Sequence, residues 1–235
     1  MRIPFKSISY FIITIIYLIP LQWVCADIKT QPKASRSASA HSKENKLSEN
    51  NINLLKQYLT PINTFQANFL QTTKSGKESK SQTSRGNMQM KRPDCFLWKV
   101  NSPFAQLYVS NGSKLWTYDK ALQQVTIQKV DKQADSLPVT AILNGSIEKL
   151  AQLYLVKVTG SKDKTFTLTP KDKSSLFKEL KFIFAGKKLT GMFMADYLES
   201  QTRIEFSAIK ENVAIPDKQF TFIPPKGVDV LDETK

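Results

Sequence analysis

A mainly β protein with some α, built on an antiparallel sheet that curls on itself, is the fold class this chain predicts, and three observations predict it. From Phe65 onward apolar residues recur with a period of two through most of the chain, the spacing of strands with one buried face. Turn residues punctuate those runs at Ser75-Gly76, Asn111-Gly112, 160–164 and 186–188, as hairpins require. One passage, 135–154, breaks the rhythm with helix signals, so helical structure is inserted midway through a meander.

The N-terminus sets the compartment. Arg2 and Lys6 precede an almost unbroken apolar run from Ile8 to Val24, and Val24-Cys25-Ala26 supplies short residues at the cleavage positions. Residues 1–26 therefore read as a cleaved secretory signal peptide. An uncleaved anchor is the competing reading, because the run approaches the ~20 residues needed to span a bilayer. Lipidation at Cys25 is disfavoured by the bulk of Val24. Residues 27–46 are rich in Ser, Lys, Ala and Asn with no apolar period and read as a disordered polar linker. The remainder, 47–235, is long enough for one sizeable domain. It opens on an amphipathic N-terminal helix in which Ile52, Leu55, Leu59 and Ile62 recur at three and four residues, with Leu54 and Tyr58 widening the stripe. Pro61 limits that helix.

Strands follow. Phe65, Ala67 and Phe69 alternate with their neighbours, as do Met88 and Met90, Phe96 and Trp98, Trp116 and Tyr118. Further strands read at 124–130, 154–160 and 164–170, then around Phe182 and Phe184, Met192 and Met194, Ile204 and Phe206, and Phe220 and Phe222. About ten short hairpin-linked strands imply an antiparallel sheet that curls. In the interruption, Asp135 or Ser136 caps a helix with Pro138 in its first turn and Asn144-Gly145 as its stop. Ser146 caps a second, with Ile147, Leu150, Ala151 and Tyr154 along one side. These helices lie over the concave face as a lid or else plug a core.

The parts for enzymatic chemistry are missing. The only histidine, His41, falls in the linker, and cleavage leaves Cys95 as the lone cysteine, so neither a triad nor a zinc site can be assembled. The eight glycines are scattered and cradle no phosphate, and Asp119, Asp131, Asp135, Asp163 and Asp196 sit where solvated turn residues are expected. No catalytic residue, metal or cofactor is predicted. The net charge of +14, to which Arg2 and Lys6 of the signal peptide contribute, is spread over many loops without exposed aromatics between the lysines. An exported protein rarely meets nucleic acid, so solubility or a charged partner surface explains the charge better.

The stretch from Arg85 to Val100, RGNMQMKRPDCFLWKV, carries the main functional signal. Two apolar strand faces flank Arg92 at a Pro corner. Arg92 either sits on the rim of a core or stands at the mouth of an apolar hollow, where its guanidinium needs acceptors from elsewhere in the chain. Apolar surface of an adaptable kind is abundant, with 14 Phe, 3 Trp and 5 Met. Methionine in strands fills core gaps or lines a wall that accepts variable hydrocarbon. The candidate lining residues are Phe65, Phe69, Met88, Met90, Phe96, Trp98, Trp116, Met192, Met194 and Phe206. A hollow sheet with a helical cover and a soft lining suggests a lipid carrier.

Several segments carry a resemblance. They are F-x-A-x-F at Phe65 to Phe69, K-R-P-x-x-F-x-W from Lys91 to Trp98, S-N-G-x-x-L-W-x-Y from Ser110 to Tyr118, L-P at Leu137-Pro138, L-T-P at Leu168 to Pro170, and F-T-F-x-P-P-x-G-V from Phe220 to Val228. In this order, from about Leu47 to the C-terminus, the chain resembles the LolA family of periplasmic lipoprotein chaperones. The resemblance implies an unclosed antiparallel half-barrel with a helical lid over a hydrophobic cavity. It implies acylated lipoproteins as cargo, an inner-membrane ABC transporter of the LolCDE kind as donor and a LolB-like outer-membrane receptor lipoprotein as acceptor, with the carrier acting as a monomer. Arg92 matches the family arginine that latches the lid, with acceptors expected around Leu137, Pro138, Val139, Ile142 and Leu143, and Phe96 matches a family phenylalanine involved in taking and releasing cargo. The alternative is a related envelope carrier or sensor that binds a single lipid or glycolipid on the same open barrel. The polar linker and strong positive charge depart from the family pattern.

Overall fold

The computed structural model describes residues 38–76, 81–130, 151–172, 175 and 177–234. One sheet of 12 strands dominates it. Helix α1 (Ala38–Leu59) comes first, followed by β1 (Thr64–Lys74), β2 (Ser81–Lys91), β3 (Cys95–Ser102), β4 (Gln106–Asn111), β5 (Lys114–Asp119) and β6 (Gln124–Lys129). The second half holds β7 (Tyr154–Thr159), β8 (Lys164–Pro170), β9 (Phe177–Ala185), β10 (Lys188–Asp196), β11 (Gln201–Glu211) and β12 (Asp229–Asp232). The spatial order is β12-β6-β5-β4-β3-β2-β1-β11-β10-β9-β8-β7. Each half is a meander of hairpins, and the antiparallel pairing of β1 with β11 joins the halves. Because β12 and β7 end the order without pairing with each other, the sheet is open.

Four features differ from the sequence expectation. Helix α1 begins at Ala38, inside the stretch read as linker, because Ala, Lys and Glu extend a nucleated helix at little cost even without an apolar stripe. The segment around Phe220 and Phe222 is not a strand: Asp217–Phe220 forms a 3-10 turn. The last strand is β12, which pairs parallel with β6 in an otherwise antiparallel sheet. Tyr154, expected on a helix and also at a strand start, is the first residue of β7, directly after helical residues 151–153. The signal peptide, residues 27–37 of the linker and the lid segment around Leu137 to Leu143 lie outside the described residues.

The sheet buries apolar residues on both faces, at different places. On the inner face, Phe65, Phe69, Met90, Phe166, Phe182, Met192 and their neighbours form one large cluster with Ile52, Leu55, Tyr58 and Leu59 of α1. On the outer face of β4 to β6, Val109, Trp116, Val125 and Ile127 form a smaller cluster with Phe222 and Val228 of the C-terminal segment packed on it. Tyr118 stacks on Phe222 with ring centroids 5.6 Å apart. The C-terminal segment crosses that face and returns as β12, so its own apolar residues find cover there. Lys91 anchors the crossing, its Nζ 2.6 Å from Asp217 Oδ1.

Candidate functional site

Register and parity decide which side chains share the inner face. Residues opposed across an antiparallel pair point the same way, and alternate residues along each strand return to that face. Phe65 opposes Met90, which opposes Phe96; Ala67 opposes Met88, which opposes Trp98, which opposes Tyr108. On the other side of β1, Phe69 opposes Phe206, and the row continues from Ile204 through Met192 and Phe182 to Phe166. Met194 lies two residues beyond Met192 and opposes Leu180. The structure therefore brings Phe65, Phe69, Met88, Met90, Phe96, Trp98, Met192, Met194 and Phe206 to one face. Phe65 meets Phe206 edge to face at 5.4 Å, and Phe69 stacks on Trp98 at 4.0 Å with 21° between planes.

Trp116 is not on that face. It opposes Val109, which opposes Leu97, so it belongs to the outer row and packs in the smaller cluster. Its alternation with Tyr118 reports a buried face, but a period of two does not say which one.

Two zones divide the inner face. Over β7 to β10, α1 fills the curve: Tyr58 meets Phe166 and Phe184 edge to face at 5.3 and 5.0 Å. The helix is clamped to edge strand β7, because the buried Asn51 Nδ2 donates to the Val156 carbonyl and the Val156 N–H donates to Ser48 Oγ, both at 2.9 Å. Here the apolar side chains of sheet and helix are buried against each other. Over β3 to β5 the inner wall is only half-buried at Phe96, Trp98, Tyr108 and Leu115, so it is more accessible than the part that α1 covers.

Arg92 stands at the boundary. It follows β2 in the β2–β3 turn, and its backbone N–H donates to the Asn63 carbonyl at 2.9 Å. Its Nη2 donates to the carbonyl of Leu59, the last residue of α1, also at 2.9 Å. A helix ends on carbonyls that lack partners and on the negative end of its dipole, so a guanidinium there is doubly suited. The Nε is buried and has no hydrogen-bond partner among the described residues. Burial lowers the guanidinium pKa without approaching neutrality. Asn212 fixes the same corner: its Oδ1 accepts from the Asn63 N–H at 2.8 Å and its Nδ2 donates to the Pro61 carbonyl at 2.9 Å. The described acceptor of Arg92 is thus on α1, whereas the expected acceptors around Leu137, Pro138, Val139, Ile142 and Leu143 lie outside the described residues. Helix ends always offer carbonyls, so the C-terminus of the predicted helix at Leu59-Thr60-Pro61 was the available clue.

A polar rail on the half-buried wall is a feature the sequence reading missed. Tyr108 Oη donates to Gln106 Oε1 at 3.0 Å, and Gln106 Nε2 donates to Asp119 Oδ2 at 3.0 Å. Burial, with Asp119 adding repulsion, pushes the Tyr108 hydroxyl up to about 12. The unfolded chain therefore loses this proton first. The stabilising contribution is present in full below pH ~10 and declines as pH rises from there through the folded value. In alkaline unfolding titrations, Tyr108→Phe should remove part of that decline; an unchanged profile would show that the hydroxyl is not held as the geometry implies. Nearby, the Cys95 thiol is half-buried, and burial followed by Asp217 raises its pKa, which disfavours the reactive thiolate. Among the described residues no group of His, Cys, Asp and Glu could hold a metal ion, and no helix is long and apolar enough to cross a membrane.

The family described as "Outer membrane lipoprotein carrier protein LolA" matches residues 60–223. The chain belongs to the LolA family. The LolA match runs from the end of α1 through β11 and the 3-10 turn into the C-terminal crossing, so it contains the inner face of β1 to β11, Arg92 and Phe222 of the outer cluster's cover. Among curated relatives, the outer-membrane lipoprotein carrier protein of Pseudomonas paraeruginosa is 38% identical over 183 residues, covering 77% of this chain and 88% of its own length. Its counterpart in Pseudomonas putida strain GB-1 is 35% identical over 189 residues, covering 79% and 89%. A LolA superfamily protein of Nitrosomonas europaea with a solved structure aligns over 75% of this chain and 98% of its own at 13% identity and a TM-score of 0.46.

Proposed function

We propose that this LolA-family protein is a periplasmic carrier, with no enzymatic activity, that accepts acylated lipoproteins released from the inner membrane, shields their acyl chains and delivers them to an outer-membrane receptor. The observation that carries the reading is the inner face: it continues past α1 as a half-buried apolar wall of Phe96, Trp98, Tyr108 and Leu115. An acyl chain of about sixteen carbons gains on the order of 10 kcal/mol by leaving water, at ~0.8 kcal/mol per methylene. A tail laid along this wall extends the buried cluster that the sheet and α1 already form. Donor and acceptor are an inner-membrane ABC transporter of the LolCDE kind and a LolB-like lipoprotein, the partners that a carrier between two membranes requires. Incubation with spheroplasts that secrete lipoproteins should yield a soluble complex of one carrier with one lipoprotein. Lipoproteins that stay in the spheroplast membrane while the carrier remains free in the supernatant would refute the reading.

A further inference from the structure

The turns of the sheet alternate between its two ends, and the two ends differ in chemistry. At the end that holds Arg92 the described tips are Arg92-Pro93-Asp94, Asn111-Gly112-Ser113, 160–163 and Gly186-Lys187, none with an exposed large apolar side chain. At the opposite end the β3–β4 tip carries Phe104, the β5–β6 tip Leu122 and the β10–β11 tip Tyr197 and Leu198, while Leu153 immediately precedes β7. Their exposures are 51, 53, 53, 81 and 40% respectively. Of the nine large apolar side chains exposed among the described residues, these are five.

Two of the tips are braced rather than frayed. Asp119 Oδ1 accepts from the N–H groups of Ala121 and Leu122 at 2.9 and 3.1 Å. Asp196 Oδ1 accepts from those of Leu198 and Ser200 at 2.9 and 2.8 Å. Each carboxylate is turned inward onto its own loop, and each holds a leucine out into solvent. The β3–β4 and β5–β6 tips are two strand spacings apart, roughly 10 Å, and the β10–β11 tip stands about twice that far from the β3–β4 tip because β2 and β1 lie between them. Discrete apolar points at these spacings do not form the continuous, close-packed surface that a protein partner buries. Each can enter a fluid lipid boundary independently. Exposed Lys74, Lys120, Lys171 and Lys178 lie at the same end, with Asp172, Glu199 and Asp229 as exposed acids among the described residues, in a chain of net charge +14.

We propose that this rim docks on an anionic phospholipid surface, with Phe104, Leu122, Tyr197 and Leu198 seated at the acyl boundary and the lysines among the headgroups. The inference deepens the carrier reading and rests on it for its purpose, but its test needs no lipoprotein, so either can fail alone. The secreted protein is mixed with vesicles of phosphatidylethanolamine and phosphatidylglycerol, or of phosphatidylcholine, and floated through a density gradient. Binding is expected on the anionic vesicles, weakened by salt, and reduced about tenfold or more in the triple variant Phe104→Ser, Leu122→Ser, Leu198→Ser. All three positions are exposed, and an unchanged melting curve confirms the fold. Lys162→Ser, at the opposite end, should float like the parent. Failure of the parent to float, or equal flotation of the triple variant, overturns the proposal. So does a triple variant that floats normally but no longer hands cargo to a purified acceptor, which would make the rim a protein dock.

Discussion

Arg92→Leu should load lipoprotein normally and release it to an acceptor at least about tenfold more slowly, as read by transfer from a preformed complex. The bond from Nη2 to the Leu59 carbonyl ties the β2–β3 turn to the end of α1 in the unloaded protein. The buried Nε beside it has no partner among the described residues, so the guanidinium has capacity for a further acceptor. If admitting tails shifts α1, the bond exists only in the empty state and opposes loading by its full value. A hydrogen bond from a charged donor is worth about 1.5–3 kcal/mol, which corresponds to a tenfold to hundredfold change in affinity. Deleting it makes the carrier hold too tightly. Arg92→Lys keeps the charge without the fork and should fall between the two. If Arg92→Leu lowers the melting temperature but transfers cargo at the parental rate, the arginine is a helix cap and nothing more.

Gly86→Val should cost about 3 kcal/mol or more of folding stability, the upper part of the usual range for overpacking a core. A Cβ at Gly86 would lie 1.9 Å from the Lys99 carbonyl oxygen and 2.6 Å from the ring of Phe69. The ring belongs to the stack on Trp98, and the register between β2 and β3 shifts at Arg85/Gly86, so strand and side chain both close in on this residue. Urea unfolding followed by tryptophan emission measures the effect directly. In a Phe69→Ala background the ring obstacle is gone but the backbone oxygen remains, so Gly86→Val should still destabilise. Full rescue by Phe69→Ala would mean that the ring alone defines the space.

Much of the inner face was legible because β1, β2, β3, β10 and β11 each show one apolar parity and the hairpin turns fix their registers. Beyond β3 the same rule misled. In β4 and β5 the apolar parity, Leu107 and Val109 with Trp116 and Tyr118, belongs to the outer face, while Tyr108 and Leu115 face inward. Alternation marks a covered face without naming its cover, and the cover here is a C-terminal segment about a hundred residues away in sequence. The acceptor of Arg92 escaped for a related reason. An arginine at a turn announces that it needs partners, but whether a helix end or another segment supplies them depends on where α1 docks.

By itself, then, the sequence determined most of the strands, the apolar stripe of the N-terminal helix, the open meander and the family, because periodicity, turn chemistry and short motifs are properties of neighbouring residues. Only the tertiary structure decided that α1 fills one half of the curve, that the C-terminal crossing claims Trp116, and that the exposed apolar tips gather at one end. Those outcomes follow from long-range packing, in which each apolar face is covered by whichever distant segment the chain's path brings to it.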